Sequence, residues 1–346
     1  MEPAELRRIA RTLSTVENQA EGYEDVLGRA YRLQSWARVI GITGPPGSGK
    51  STLVDALTAH WAADGERIAV LAVDPSSPYS GGAVLGDRIR RSRSTGFDNI
   101  YFRSLSSRGH VGGLSETATD LAAVLSLFDF RRVIIETVGA GQADIEVHDT
   151  ADCTLVLTVP GLGDGVQASK AGLMEIGDIF AVNKADMPGA ADAQRTIEAA
   201  LGAAYMGDPG INRRADTARA MPPDTAVSPG LAALHRRHGR FGADEETWVP
   251  PVLTLVAAEN KGVAELAQAV DTFMSWSEQT GRRLGRRRER AYAQVLRALS
   301  ALLLAPYTRA AGAEALPDAV EPWIERIASG NASPIEAARA LLNASR

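Results

Sequence analysis

Residues 41–52, GITGPPGSGKST, combine glycine, lysine and serine at a spacing that suits phosphate binding. The pattern G-x-x-x-x-G-K-[ST] is met, an apolar run precedes it, and a helical pattern follows. Glycines let backbone N–H groups turn inward around an anion, and a helix N-terminus adds a positive dipole end. The residues predicted to bind a nucleoside triphosphate here are Gly44, Pro45, Gly47, Ser48, Gly49, Lys50, Ser51 and Thr52.

Two side chains of this loop have predicted chemical roles. Lys50 is expected to reach the β- and γ-phosphates, and Ser51 is expected to ligate Mg²⁺. The alternative is a glycine-rich turn without a ligand, which the flanking strand and helix patterns disfavour. The loop fixes a triphosphate but does not select the base.

The segment AVNKAD is predicted to select the base. In it, Asn183, Lys184 and Asp186 form N-K-x-D after a buried-type strand. The Asp186 carboxylate can accept two hydrogen bonds from guanine, through N1–H and the exocyclic amine. Adenine lacks this donor pair, so the carboxylate would be unpaired against it. The Lys184 stem can cover the purine face, and Asn183 is expected to tie the loop to neighbouring segments. We therefore predict GTP and GDP as ligands.

A second segment, VAAEN at 256–260, is expected to complete the base pocket. A backbone N–H of the Ala257–Ala258 pair would donate to guanine O6. Many GTPases carry serine where this chain has Ala257, so side-chain support is lost here while the backbone donor remains.

The stretch IIETVGAGQAD places an acid at a strand end and then a flexible glycine. Glu136 is predicted to hold Mg²⁺ directly or through water, and Gly139 to donate its N–H to the γ-phosphate. Asp74 ends a strand expected beside the phosphate-loop strand, and Asp87 lies in a polar segment. Either could help to hold Mg²⁺ or orient the attacking water, and turn-capping is the alternative for both.

Two further polar residues rank lower as catalytic candidates. Gln142 lies three residues past Gly139, which disfavours a water-positioning role, and Arg108 could face phosphate, a partner or solvent. Phosphoryl transfer depends mainly on positioning and charge neutralisation. We expect slow hydrolysis by the chain alone and faster hydrolysis with a partner.

Alternating strand and helix patterns predict an α/β fold, with a mostly parallel sheet and helices on both faces. Functional residues are then expected at the carboxyl ends of the strands. Residues 1–35 are predicted to be helical, and the chain is again helical after about residue 258. The strands are predicted at 37–43, 67–73, 100–105, 132–137, 153–159, 178–183 and 251–257.

The same patterns predict three regions. These are an N-terminal helical extension at 1–36, a nucleotide-binding domain at 37–275 with an inserted loop at 206–250, and a C-terminal helical arm at 276–346. The arginine-rich run 281–290 is interpreted as the solvated start of the last long helix. A surface for an acidic partner is the alternative.

Composition limits the class of protein. The chain has 346 residues and a formal net charge of −5, which disfavours nucleic-acid binding. Cys153 stands alone, so an intrachain disulfide and a thiolate zinc site are excluded. His235 and His238 lie in a polar stretch and are interpreted as solvated. No signal-type segment or 18-residue apolar span is present, so a cytoplasmic protein without membrane segments is predicted.

Taken together, several long stretches resemble the MeaB/ArgK family of P-loop GTPases. They are GITGPPGSGKSTLVDAL, VLAVDPSSPYSGGAVLGDRIR, SSRGHVGGLSE, ETVGAGQAD, PGLGDGVQASKAGLMEIGDIFAVNKAD and AENKGVAEL. The resemblance covers roughly residues 37–205 and 250–275. It implies a P-loop NTPase fold and a chaperone of an adenosylcobalamin-dependent acyl-CoA mutase. Such chaperones gate cofactor loading and protect or repair the mutase, and they are typically homodimers joined by C-terminal helical arms.

The resemblance also implies roles for individual residues. It puts Asp74, Asp87 and Glu136 around Mg²⁺ and the γ-phosphate. Residues 163–172, GDGVQASKAG, become a third switch that signals to the mutase through Gln167 and Lys170. Three features depart from the family pattern: the long 206–250 insert, Ala257, and a switch text that is similar but not identical. Because the switch text is not identical, the partner could be methylmalonyl-CoA mutase or a relative acting on isobutyryl-CoA or 2-hydroxyisobutyryl-CoA.

Two other functional classes remain open from the residues. A nickel-type metallochaperone GTPase would share the core but usually carries Cys/His clusters near the nucleotide. A small-molecule kinase would need an acceptor pocket, for which no constellation is visible. A homodimer is predicted from the apolar face of residues 291–304, which could equally pack on its own chain.

Overall fold

The computed structural model describes most of the chain, and it divides into two compact units, Met1–Arg288 and Glu289–Arg346. The described residues are 1–33, 35–74, 96–106, 113–137, 147–161, 174, 176–206, 248–304, 307, 317–329 and 331–344. The domain boundaries expected at 36 and 275 stay predictions.

The described residues of the first unit form a seven-stranded sheet in the order β3-β2-β4-β1-β5-β6-β7. Every strand pair in it is parallel. The strands are β1 (Arg38–Thr43), β2 (Ile68–Asp74), β3 (Ile100–Ser106), β4 (Arg132–Thr137), β5 (Cys153–Thr158), β6 (Ile179–Val182) and β7 (Val252–Thr254). The predicted α/β fold with a parallel sheet is confirmed.

Helices cover both faces of this sheet. One face carries α3 (Lys50–Ala63) and α6 (Val263–Gln279), and the other carries α1 (Pro3–Glu17), α2 (Tyr23–Tyr31) and α4 (Gly113–Ser126). A further helix, α5 (Ala190–Met206), packs on β6 and β7. Strands covered on both faces are continuously apolar rather than alternating, as in β6, whose four residues are all buried.

The strand that ends at Asp74 was expected beside the phosphate-loop strand β1, and this expectation is wrong. Strand β4 lies between them, pairing with β2 through Ala72↔Glu136 and with β1 through Ile42↔Glu136. All six residues of β4 are buried. The central position of a parallel sheet is covered on both faces, so it favours such a strand.

Residues 1–35 were predicted to be helical, and they form two helices rather than one, because a break separates α1 from α2. Gln19 and Gly22 adopt left-handed backbone angles, with φ of 48° and 84°. The intervening sequence, NQAEG, is mostly polar and supplies no large apolar residue for the buried stripe that Ile9 and Leu13 form on α1. The second helix begins directly after Gly22, which accommodates the turn.

The arginine run at 281–290 was interpreted as solvated, and the structure corrects this for its first half. Arg282 is buried, and Arg283 and Arg286 form ion pairs with the buried Asp152 and Asp178. The cause is tertiary: α7 (Arg282–Leu304) begins against aspartates that only the folded sheet presents.

The second unit contains the rest of α7, together with α8 (Glu321–Ala328) and α9 (Pro334–Ala344). The Tyr307 hydroxyl donates to the Leu341 carbonyl at 2.8 Å. Large apolar side chains are exposed along α7, namely Tyr292, Val295, Leu296, Leu299, Leu302, Leu303 and Leu304. Among the described helices, none has both the length and the hydropathy needed to cross a membrane.

Gly41 in β1 offers a test of the packing beneath the site. A Cβ there would lie 2.5 Å from Val147 Cγ1 and 2.9 Å from Ala151 Cβ. We expect Gly41→Ala to lower the free energy of unfolding by about 1–3 kcal/mol, because the overpacked side chains must shift. Denaturant unfolding would measure this change.

Gly202 in α5 provides the matched control, since a Cβ there meets nothing within 4 Å. Gly202→Ala is expected to raise the free energy of unfolding by up to about 1 kcal/mol through helix propensity. Equal effects of the two substitutions would contradict the packing argument.

Candidate nucleotide-binding site

The phosphate-loop sequence connects the end of β1 to the first residue of α3. Its glycines take backbone angles that other residues avoid, with φ of 145° at Gly44, 75° at Gly47 and 91° at Gly49. A Cβ at Gly44 would lie 2.1 Å from the Leu157 carbonyl oxygen of β5. Glycine is therefore required at Gly44 by both the backbone angle and the close approach of β5.

Lys50 lies largely inside this loop, with 7% of its surface exposed. Its ammonium donates to the carbonyl oxygens of Gly44 at 2.7 Å and of Pro45 at 3.1 Å. These partners offset part of the cost of burying a charge. The positive charge of Lys50 therefore lies inside the loop that the sequence pattern predicts to bind phosphate.

A hydroxyl and a carboxylate meet beside the loop. Ser51 Oγ donates to Glu136 Oε1 at 2.5 Å, and Glu136 is 4% exposed near the end of β4. Both groups offer the hard oxygen ligands that Mg²⁺ prefers. No cluster of three or more His, Cys, Asp or Glu side chains that could hold a metal occurs within the described part of the chain. A magnesium ion held by few protein ligands plus substrate phosphates fits this pair, since Mg²⁺ is usually bound that way.

Asn183 connects three segments of the site. Its Nδ2 donates to the Ser48 carbonyl at 2.8 Å, and its Oδ1 accepts from the Ala257 backbone N–H at 3.0 Å. The side chain is 4% exposed. One buried amide therefore holds the phosphate loop, the end of β6 and the segment after β7 together.

Lys184 adds a second link between the base motif and the phosphate loop. Its ammonium donates to the Gly47 carbonyl at 3.0 Å, and its backbone is left-handed with φ of 57°. Asp186 is exposed two residues later. The nearby Lys261 pairs with Glu259, and this hydrogen bond and charge, with a smaller contribution from Asp186, raise the pKa of the Lys261 ammonium.

The segment after β7 forms a short 3-10 helix at Ala257–Glu259. Strand β7 ends at Thr254, so the strand predicted over 251–257 is shorter than expected. Ala257 is fully buried. The structure thus brings the phosphate loop, N-K-x-D and the Ala257–Ala258 pair to one edge of the sheet.

Several predicted site residues are not placed. Asp74 ends β2, but nothing of its side chain is described. The residues that lie outside the described ones are Asp87, Arg108, Gly139, Gln142, Gln167, Lys170, His235 and His238, together with 207–247 of the insert. Their assigned roles stay predictions.

Sequence reasoning missed a polar cluster at the opposite edge of the sheet. Asp152 and Asp178 are buried immediately before β5 and β6, where they meet arginines of α7. The available signal was an acid directly before one predicted strand, at Asp152, and an acid as the first residue of the next, at Asp178. Its arginine partners lie more than a hundred residues further along the chain, which no local pattern connects.

A sequence model of the family described as "Methylmalonyl Co-A mutase-associated GTPase MeaB" matches residues 9–311 of this chain. The chain belongs to the MeaB family. This match extends over all seven described strands, nearly all of the helices that cover them and the start of the second unit. It confirms the resemblance stated from the sequence motifs.

Individual relatives agree with this membership. A Pyrococcus abyssi protein whose name describes it as a GTPase is 36% identical over 303 residues, 88% of this chain and 83% of its own length. The Escherichia coli GTPase ArgK is 33% identical over 245 residues, 70% of this chain and 63% of its own. The mouse mitochondrial methylmalonic aciduria type A homolog is 30% identical over 234 residues, 68% of this chain and 48% of its own.

A solved structure supports the fold. The crystal structure of an LAO/AO transport system kinase matches with a TM-score of 0.57 and 22% identity, covering 99% of this MeaB-family chain and 97% of that one. At this identity the likeness concerns the fold alone. The chain is therefore a P-loop GTPase of the MeaB family, and membership implies guanine-nucleotide binding.

Proposed function

We propose that this MeaB-family protein is a GTP-binding and GTP-hydrolysing chaperone of an adenosylcobalamin-dependent acyl-CoA mutase. It gates cofactor loading and protects or reactivates the mutase. The observation that carries the nucleotide part is the double link from N-K-x-D to the phosphate loop, through Asn183 to Ser48 and Lys184 to Gly47. The family description and the name of the mouse relative support the mutase as partner.

The proposed chemistry follows from the residues around the loop. Lys50 neutralises the β- and γ-phosphates, Ser51 and Glu136 hold Mg²⁺, and Asp186 reads guanine. When bound by these residues, Mg²⁺ would neutralise the negative charge on the β- and γ-phosphates during hydrolysis. Asp74 and Asp87 complete the γ-phosphate environment, as the family resemblance implies, and Gly139 donates its N–H to the γ-phosphate.

The partner-facing part of the proposal rests on resemblance. Gln167 and Lys170 form the switch that contacts the mutase, and hydrolysis accelerates when the partner is bound. The exposed apolar face of α7 supports a homodimer. The protein acts in the cytoplasm.

The metallochaperone alternative gains no support from the cysteine. Cys153 is fully buried in β5, within the core cluster of the sheet. A buried structural cysteine of this kind behaves as a small apolar residue rather than as a metal ligand.

Affinity capture from the native host tests the proposed partner. The immobilised protein, loaded with a non-hydrolysable GTP analogue, is expected to recover a B12-dependent acyl-CoA mutase identified by mass spectrometry. Loading with GDP is expected to give a different yield, because the switch segments respond to the γ-phosphate.

An Asp186→Asn protein, treated with the same GTP analogue, serves as control and is expected to behave as nucleotide-free. Stoichiometric Ni²⁺ or Zn²⁺ binding at micromolar strength, without mutase recovery, would contradict the proposal and favour a metallochaperone. Phosphorylation of a small acceptor without release of free phosphate would favour a kinase.

A further inference from the structure

Two buried aspartates stand at the amino ends of adjacent strands, opposite the nucleotide edge. Asp152 precedes β5 and is 2% exposed. Its Oδ2 accepts from the Val39 backbone N–H at 3.2 Å and from Arg283 Nε at 3.1 Å. This carboxylate therefore joins strand β1, strand β5 and helix α7.

Asp178 precedes β6 and is fully buried. Its Oδ1 accepts from Arg286 Nη2 at 2.6 Å, and its Oδ2 accepts from Arg286 Nη1 at 3.0 Å and the Thr154 N–H at 2.8 Å. Its backbone carbonyl accepts from Trp248 Nε1 at 2.9 Å. Trp248 lies near the end of the predicted 206–250 insert and is the first described residue after Met206. Both carboxylate oxygens and the carbonyl are thus engaged, and such two-point arginine pairs fix geometry as well as charge.

The two arginines lie three positions apart in the first turns of α7, so they share one helix face. The Arg286 guanidinium also stacks over Phe273, with its carbon 5.7 Å from the ring centre. Arg283 Nη2 donates to the carbonyls of Ala37 at 2.8 Å and Trp36 at 3.2 Å. The start of α7 is therefore fixed to the amino ends of β1, β5 and β6 together.

The other ends of these strands carry the nucleotide motifs. Strand β6 has four residues and ends at Val182, directly before Asn183. At the usual rise per residue, this end of the strand lies about 13 Å from Asp178. Strand β5 ends beside Gly44, and its Thr158 carbonyl accepts the Asn183 N–H at 2.8 Å. Because both strands are almost wholly buried and close-packed, a shift of one strand end is transmitted to the other rather than absorbed.

We propose that Arg283 and Arg286 are positioning residues for the guanine and phosphate loops, acting through β5 and β6, so that nucleotide binding and the seating of α7 are linked. This inference rests on the proposed guanine-nucleotide site and adds a route by which that site influences the start of the C-terminal helix. Linkage is reciprocal: if the seating of α7 favours nucleotide, nucleotide favours the seating of α7 by the same factor.

Conservative variants test this link. Arg283→Lys and Arg286→Lys keep the positive charge but lose the planar fork that grips the carboxylates. Each is expected to weaken GDP binding, measured by titration of a fluorescent GDP analogue, by about 5- to 20-fold. Arg288→Lys, on an exposed side chain of the same helix, is the matched control and is expected to leave the dissociation constant within twofold.

Amide hydrogen exchange supplies a readout that a merely structural role would not change. In the wild-type protein, GDP is expected to slow exchange at residues 282–288, although these lie at the opposite edge of the sheet. In Arg286→Lys this protection is expected to shrink, while exchange at residues 183–187 of the nucleotide-free protein becomes faster.

Two results would overturn the inference. One is a lowered melting temperature in both variants, with GDP affinity and GDP-dependent protection unchanged, which would assign the arginines to stability alone. The other is wild-type protein that binds ADP as tightly as GDP, which would remove the proposed function and this inference with it. If Arg286→Lys fails to fold, the affinity and exchange measurements on Arg283→Lys still decide the matter.

Discussion

Replacement of Lys50 by alanine is expected to lower GTP hydrolysis about 1,000-fold and to weaken GTP binding by at least about tenfold. The ammonium is held inside the loop by the Gly44 and Pro45 carbonyls, at 2.7 and 3.1 Å. A group fixed in place before the reaction stabilises developing phosphate charge without reorganisation. Phosphate release under saturating GTP and Mg²⁺, with isothermal titration for affinity, would measure both effects.

Arg195→Ala provides the control for loss of a positive charge. Arg195 is exposed on α5 and pairs with Asp192 on the same helix. Its removal is expected to change neither hydrolysis nor affinity by more than about twofold, since exposed pairs contribute little. Hydrolysis by Lys50→Ala within tenfold of the wild-type rate would refute the phosphate role of Lys50.

The second large effect concerns the base. Asp186→Asn is expected to weaken GTP binding about 100-fold, equivalent to roughly 3 kcal/mol, because the amide offers one acceptor and one donor to guanine's two donors. Xanthine presents N1–H and a carbonyl at C2, which match the asparagine amide. The variant is therefore expected to prefer XTP over GTP, while the wild-type protein prefers GTP. Competition titrations with GTP, XTP and ATP would measure the preferences.

Asp192→Asn is the matched control, because it makes the same chemical change on an exposed carboxylate of α5. It is expected to leave the GTP, XTP and ATP affinities unchanged. Unaltered guanine preference in Asp186→Asn, or wild-type protein that binds ATP as tightly as GTP, would contradict both the assignment of Asp186 and the nucleotide specificity that the proposed function requires.

Local sequence determined the elements that carry the chemistry. The phosphate loop could be predicted because its glycines, lysine and serine lie close together in the chain. Gly44, Gly47 and Gly49 adopt positive φ angles, which glycine adopts readily and other residues avoid. The buried strands could be predicted because a parallel sheet covered on both faces needs continuous apolar runs. N-K-x-D could be predicted because its chemistry is contained within four residues.

Contacts between distant segments were decided only by the tertiary structure. Strand β4, and not β2, lies beside β1. Both β2 and β4 are apolar runs of similar length, so no local pattern shows which of them is the neighbour. Asn183 reaches Ser48 and Ala257 across separations of 135 and 74 residues. Arg286 pairs with Asp178 across a separation of 108 residues. This ion pair is why the arginine-rich run 281–290, interpreted from sequence as solvated, begins in contact with buried aspartates. The sequence shows which charged side chains would need partners if they were buried. Which residues become those partners depends on the strand ends that the sheet brings together.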